Sequence, residues 1–360
     1  MYELVQTTPP AGDVENEMVE WGRIKLGNWV ATAAVLATLN SVPAVAAPTA
    51  AMNVDVAAAP VLDDRYPRAK VSFGSDVESY PDLIYATAPG FRPLRLDVYR
   101  QVAPAGPRPL VIYVHGGGWQ SGHTRHSGAF ANWPGVLASL ARKGYVVASV
   151  EYRLSSEAKF PAAIHDVKHA IQWLRAKASE FSVDPNKVVI WGGSAGGQLA
   201  ALAAVSCGVD SLAPERPDAA NQAAAALAAQ SDCVQGLVAW YGVFDFSGDS
   251  AGSAVDKYLG CTPAQCASKA ALASPITHLD AKDPPVLLIH GELDKVVPVA
   301  QSRAFDAALR AKGVASELVV IPAVDHSFIG DSPESTRKAS LLALAKTFEF
   351  IDALSGGKRE

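Results

Sequence analysis

Short runs of uninterrupted apolar residues, rich in β-branched side chains, recur in this chain at residues 110–114, 145–150, 188–191, 234–240, 286–289 and 318–321. A strand open to water on one face alternates apolar with polar side chains. A run without alternation is buried on both faces, as in a parallel sheet covered by helices on either side. Helical patterns fall between the runs. The clearest covers residues 161–181, where Pro161 opens the first turn and Ile164, Val167, Ile171 and Leu174 recur on one face. Residues 197–206, 301–311 and 334–354 continue the alternation, while 83–87 and 94–100 suit antiparallel strands at a leading edge. The expected class is α/β, a mostly parallel doubly wound sheet with helices on both faces and function at the carboxyl ends of the strands.

The run at 188–191 leads directly into Gly192-Gly193-Ser194-Ala195-Gly196-Gly197, and a helical pattern follows at once. A serine held between strand and helix takes a strained backbone conformation that lifts its hydroxyl above the sheet. Side chains two positions away on either side would collide in so sharp a bend, which accounts for Gly192 and Gly196. The helix N-terminus behind Ser194 favours negative charge developing beside it. Ser194 is the expected nucleophile.

The run at 110–114 ends in His115-Gly116-Gly117-Gly118-Trp119. Three glycines after a buried strand let main-chain N–H groups face a cavity and bind an oxyanion. A phosphate-binding loop is excluded, because no Lys-Ser/Thr follows and the G-x-G-x-x-G spacing is not met. The expected donors are Gly117 and Gly118, completed by Ala195. Trp119 is expected as a flat wall for an aromatic or sugar group, with core packing as its other reading. Eight histidines compete for the role of base. With partners following in the order serine, acid, histidine, the base is His326, beyond the last run, and the acid is Asp294, beyond the penultimate one. Asp245 is the rival acid. His115, fixed before the glycine turn, reads as a structural hydrogen-bonder.

Combined with Glu151-Tyr152-Arg153-Leu154 and with Phe160-Pro161-Ala162-Ala163 leading to Asp166, these motifs resemble the hormone-sensitive-lipase-like and feruloyl/acetyl-esterase-like branch of the α/β hydrolases. The resemblance runs from about Val71 to the C-terminus. It implies an α/β-hydrolase fold, an acyl-enzyme on Ser194 and no metal or organic cofactor. Implied substrates are acyl esters of small alcohols, of sugars on plant polymers or of phenolic acids. Lipase-like members usually carry an acidic residue before the serine, where this chain has Gly193, and the long capping helices are missing; both points favour the carboxylesterase side. A short-acyl preference without interfacial activation is expected, because the one sizeable insertion, residues 244–275, is too polar to roof an acyl groove. A peptidase of the prolyl-oligopeptidase kind and a non-catalytic binding module are the rivals. The first usually needs a large N-terminal propeller, and the second has no use for Ser194, Asp294 and His326 together.

The remaining features bear on location. Arg23 and Lys25, an apolar stretch at 29–42 and Ala44-Val45-Ala46 read as a signal peptide, so residues 1–46 are expected to be an N-terminal extension removed on export. The polar, acidic opening leaves the initiator open between Met1 and Met18. Residues 47–70 read as a linker and 71–360 as the catalytic domain. Beyond the signal, no apolar run approaches the roughly 18 residues needed to span a bilayer. In a periplasmic or secreted protein an even cysteine count favours disulfides: Cys261 with Cys266, and Cys207 with Cys233. The net charge of -5, without a basic stripe, excludes a nucleic-acid partner. The expected partner is a small ester or an ester-decorated polymer.

Overall fold

A computed structural model describes residues 69–87, 91–214, 222–247 and 253–356. The expected signal peptide, nearly all of the expected linker, and Gly248, Asp249 and Gly252 of the insertion lie outside the described residues. The strands are β1 (Val71–Phe73), β2 (Val77–Ala86), β3 (Leu94–Gln101), β4 (Arg108–Val114), β5 (Val146–Val150), β6 (Val183–Gly193), β7 (Gly236–Trp240), β8 (Val286–Gly291) and β9 (Ser316–Ile321). The helices are α1 (Trp133–Arg142), α2 (Ala162–Ala176), α3 (Ala178–Phe181), α4 (Ala195–Val205), α5 (Gln222–Ala228), α6 (Ser253–Leu259), α7 (Ala267–Ala273), α8 (Ala300–Ala311) and α9 (Pro333–Ser355).

The strands join one sheet in the order β1-β2-β3-β5-β4-β6-β7-β8-β9. The pairings from β1 through β3 to β5 are antiparallel, and every later one is parallel. Strand β4 lies between β5 and β6, so the connection leaving β4 runs to one side and that leaving β6 to the other, and the two diverge between these neighbours. A crevice opens at such a switch point, and the ends of β4 and β6 deliver His115 and Ser194 to it.

Alternate residues of the central strands feed two apolar layers. Leu110, Ile112 and Val114 meet Ile164, Val167 and Ile171 of α2, Leu199 and Leu202 of α4, and more distant members such as Phe305 of α8 within one layer. Val111, Tyr113, Trp191 and Trp240 share the other with Trp133, Leu137 and Leu140 of α1 and Ala343 and Ile351 of α9. Each fully buried aliphatic side chain contributes about 1.5–3 kcal/mol. The runs on β4 to β8 are therefore strands buried on both faces, as expected, whereas the run at 318–321 lies on the edge strand β9 and is only partly buried.

Boundaries differ where polar groups are paired rather than solvated. The strand expected at 83–87 starts earlier, at Val77, because Glu78 is buried among partners: Tyr80 donates its hydroxyl to it at 2.8 Å, Lys70 its ammonium at 3.1 Å and Arg100 its guanidinium at 3.1 Å. The helix expected over 161–181 breaks at Lys177, and Ser182 in the left-handed region turns the chain into β6. Helix α1 is not among the expected helices; its start is fixed by the Asn132 side chain, which accepts the Gly135 N–H at 2.9 Å, and by a proline in the first turn. Cys207 faces Cys233 and Cys261 faces Cys266 at bonding distance, with Cα separations of 5.0 and 6.2 Å. Among the described residues no helix is long and apolar enough to cross a membrane.

Candidate active site

Ser194 occupies the junction of β6 and α4 with φ 56° and ψ −125°, a conformation that costs energy for any residue but glycine. The bend holds because its neighbours lack side chains. A Cβ on Gly192 would strike the Gly196 carbonyl, and one on Gly196 the carbonyls of Val114 and His115. The Ser194 N–H donates to the Trp240 carbonyl at 2.9 Å, which ties the elbow to β7. Gly193 admits no larger residue without displacement, since its Cβ would lie 3.1 Å from the Tyr241 hydroxyl. The acidic residue usual in lipase-like relatives would meet that ring.

Before the glycines, His115 is fully buried and stacks on Tyr152 at 4.4 Å. Its Nδ1 lies 2.7 Å from the Gly116 carbonyl, and its own carbonyl accepts the Tyr152 hydroxyl at 3.0 Å. Burial pushes the imidazole pKa down to about 4, so the ring is neutral and structural. The Gly117 carbonyl accepts from the N–H groups of Gln120 and Ser121 at 3.0 and 3.1 Å, which curls the loop. The N–H groups of Gly117, Gly118 and Ala195 donate to no acceptor among the described residues. Gly116, Gly117 and Gly118 line the same cavity as Ser194.

Trp119 is not a wall of that cavity, which corrects the sequence reading. The indole is 3% exposed, stacks on Tyr258 at 4.6 Å and 10°, and donates its Nε1–H to Gln198 Oε1 at 3.0 Å. Its positive φ of 57° turns the side chain from the glycine loop into the core between α4 and α6.

His326 stands in the turn after β9, with Nε2 3.0 Å from Ser194 Oγ and Nδ1 2.8 Å from Asp294 Oδ2. A carboxylate oxygen only accepts, so Nδ1 carries the hydrogen and Nε2 offers its lone pair to the serine hydroxyl. Asp294 lies in the loop after β8. Its Oδ1 accepts the N–H groups of Val296 and Val297 at 2.9 and 2.8 Å. Burial raises the carboxyl pKa, but donation from His290 and His326 outweighs it, and the group sits well below the usual carboxylate range. Asp325 accepts the N–H groups of His326 and Lys295 at 2.7 and 2.8 Å and orients the turn. Asp245 is elsewhere, accepting the Ser247 N–H at 2.7 Å. Asp294, not Asp245, meets the histidine.

The cavity beside Ser194 encloses about 790 Å³, and Tyr113, His123, His126, Ser127, Tyr241 and Ser327 contribute to its lining. The Tyr241 ring meets the edge of His326 at 4.7 Å. Sequence reasoning missed Tyr241 and Ser127, although Tyr241 directly follows the apolar run 234–240, where such a fold gathers its functional groups. Insertion helices α6 and α7 bury Val255, Tyr258, Ala270 and Ala273, and Lys257 bonds Gln120 at 3.0 Å. Among the described residues no cluster of His, Cys, Asp and Glu could hold a metal ion.

The BD-FAE family model matches residues 96–309. Esterase LipQ of Mycobacterium tuberculosis is 35% identical over 256 residues, covering 67% of this chain and 55% of the relative. Esterase LipC of the same organism is 33% identical over 246 residues, covering 65% and 56%. The chain thus spans about half the length of these curated relatives. Among solved structures, a truncated carbohydrate esterase from gut microbiota superposes with a TM-score of 0.66 at 25% identity, over 80% of this chain and all of the other. The propionate-bound esterase Est2 of Thermogutta terrifontis gives 0.62 at 26%, over 78% and 96%. Family match, relatives and sheet agree: the chain belongs to the BD-FAE family, within the hormone-sensitive-lipase-like branch of the α/β hydrolases.

Proposed function

We propose that the protein is a serine carboxylesterase acting on short-chain acyl esters. The observation that carries this reading is the continuous relay from Ser194 through His326 to Asp294, at 3.0 and 2.8 Å, beside unbonded main-chain donors. His326 Nε2 takes the hydroxyl proton as Ser194 Oγ bonds to the ester carbonyl carbon, and Asp294 stabilises the resulting imidazolium. The N–H groups of Gly117, Gly118 and Ala195 receive the negative oxygen, each worth about 3–4 kcal/mol of barrier. The intermediate collapses as His326 returns the proton to the departing alkoxide. Water, deprotonated by the same nitrogen, then releases the acid from the acyl-Ser194 ester.

A second substrate reading, sugar or phenolic esters on plant polymers, is favoured by the hydroxyl and imidazole groups of the cavity and by the likeness to carbohydrate esterases. The packed α6–α7 segment favours a fixed wall over a moving lid, and hence dissolved substrates. Export to the periplasm or beyond is our reading of residues 1–46, with the two cysteine pairs in support.

The test is hydrolysis of 4-nitrophenyl esters, acetyl-sugars, feruloyl esters and a proline amide by wild type and Ser194→Ala. Ester turnover peaking at acetate to butyrate, and falling in the variant by on the order of 10⁴-fold or more, is expected. Faster cleavage of the amide, a maximum at palmitate, or a variant keeping a tenth of the rate would overturn the reading.

A further inference from the structure

The Asp294 carboxylate is held by more than the histidine it serves. On β8, four residues earlier, His290 is fully buried with both ring nitrogens engaged. Its Nε2 lies 2.8 Å from the Val297 carbonyl and 3.2 Å from Asp294 Oδ2, while Nδ1 lies 2.7 Å from Ser302 Oγ on α8. The two groups at Nε2 can only accept, so that nitrogen carries the hydrogen. Nδ1 then accepts from the Ser302 hydroxyl, the one neighbour able to donate. The contacts thus place a hydrogen on Nε2.

We propose that His290 is a positioning residue of the relay, whose shared Nε2–H strap between the Val297 carbonyl and Asp294 aims Oδ2 at His326 and tempers its basicity. With it, Asp294 accepts two main-chain N–H groups on Oδ1 and the His326 Nδ1–H on Oδ2, while the His290 Nε2–H, bonded to the Val297 carbonyl, stands 3.2 Å from the same Oδ2 as a fourth positive neighbour. Val297 takes part twice, donating its N–H to Oδ1 while its carbonyl receives His290. The strap therefore closes the loop between β8 and α8 around the carboxylate. A side chain that merely filled the core would need neither nitrogen, and an apolar ring there would leave both acceptors a donor short. Removing the donor does two things to His326. The carboxylate is freed to tilt, which slows proton transfer from Ser194. It also keeps more of its charge for His326, so the imidazolium survives to higher pH. The other groups facing these rings are Ser194, the Tyr241 ring, Asp325 with its partner Lys295, and Ser302.

The kinetic part rests on the esterase reading, the spectroscopic part on geometry alone. His290→Leu removes the donor, and His290→Gln offers an amide N–H near the Nε2 position. Both are compared with wild type by pH profiles of kcat and KM on 4-nitrophenyl acetate, by NMR titration of the His326 imidazole in the resting protein, and by thermal melting. His290→Leu is expected to lower kcat by about 10–100-fold, as loss of such supporting partners does elsewhere, with KM nearly unchanged. Its acid limb and His326 titration should both move to higher pH. His290→Gln should restore most of kcat and return the titration to the wild-type position. Should the leucine variant not fold, His290→Asn, whose amide falls short of Asp294, takes its place with the same expectation. An unmoved His326 titration, or equal losses in the leucine and glutamine variants that follow only their melting temperatures, overturns the proposal. If wild type hydrolyses no ester, the esterase reading fails while the NMR titration still decides the strap.

Discussion

Replacing Trp119 with phenylalanine separates core packing from substrate contact. The change keeps a flat ring against Tyr258 but deletes the Nε1–H that donates to Gln198 Oε1 at 3.0 Å. Gln198 is fully buried on α4, and its amide nitrogen stays committed to the Ala273 carbonyl at 2.9 Å. The stranded acceptor costs about 1–3 kcal/mol. The smaller ring leaves a void worth roughly another 1 kcal/mol, so a total loss of about 2–4 kcal/mol is expected. Urea denaturation followed by circular dichroism should show a lower midpoint with unchanged slope. Because the indole lies outside the cavity, KM for acetyl and feruloyl 4-nitrophenyl esters should stay within about twofold. Unchanged stability with a raised KM for the aromatic ester would put the indole in contact with substrate and refute the argument.

Three further outcomes follow from buried charge and sulfur. Lys168 is fully enclosed, donating to the Ser206 carbonyl at 2.7 Å and to Asp232 at 2.8 Å, and burial holds its pKa below the ordinary lysine value. Asp232→Ala should destabilise the protein by about 3 kcal/mol by stranding that ammonium, whereas adding Lys168→Met should recover most of the loss; chemical denaturation of both variants checks this. The depressed Asp294 pKa contributes stability that is complete above the unfolded carboxylate value of about 4 and is lost as pH falls through the folded value. Melting temperature should therefore decline less steeply below about pH 4 in Asp294→Asn than in wild type, and parallel curves would contradict the assignment. Thiol titration of native protein should find no reactive cysteine, and two thiols would show one pair open.

The parallel core was legible because each run carried its burial in its own composition. The elbow was legible because a strained turn needs glycine at known offsets. The rest depended on partners distant in sequence. Glu78 looks like a surface residue until Lys70, Tyr80 and Arg100 are seen around it. Trp119 beside glycines suggests a wall, and only the positions of Tyr258 and Gln198 draw it inward. His290 belongs to no sequence motif, because its contacts require the chain to bring Val297 and α8 back over it.

The parallel order also governs when the protein can first act. Ser194 and His326 lie 132 residues apart, and the strands bearing serine, acid and histidine approach one another only after β7, β8 and β9 have docked in turn. Contacts of such long range form late, since their loop-closure entropy must be met before they stabilise anything. A nascent chain that has already bent its elbow still lacks a proton acceptor, and β9 is the edge strand on the carboxyl-terminal side of the sheet. The hydroxyl at residue 194 is therefore latent until β9 and His326 have docked. Its reactivity toward an organophosphate, followed during refolding, would serve as a clock for closure of the carboxyl-terminal edge.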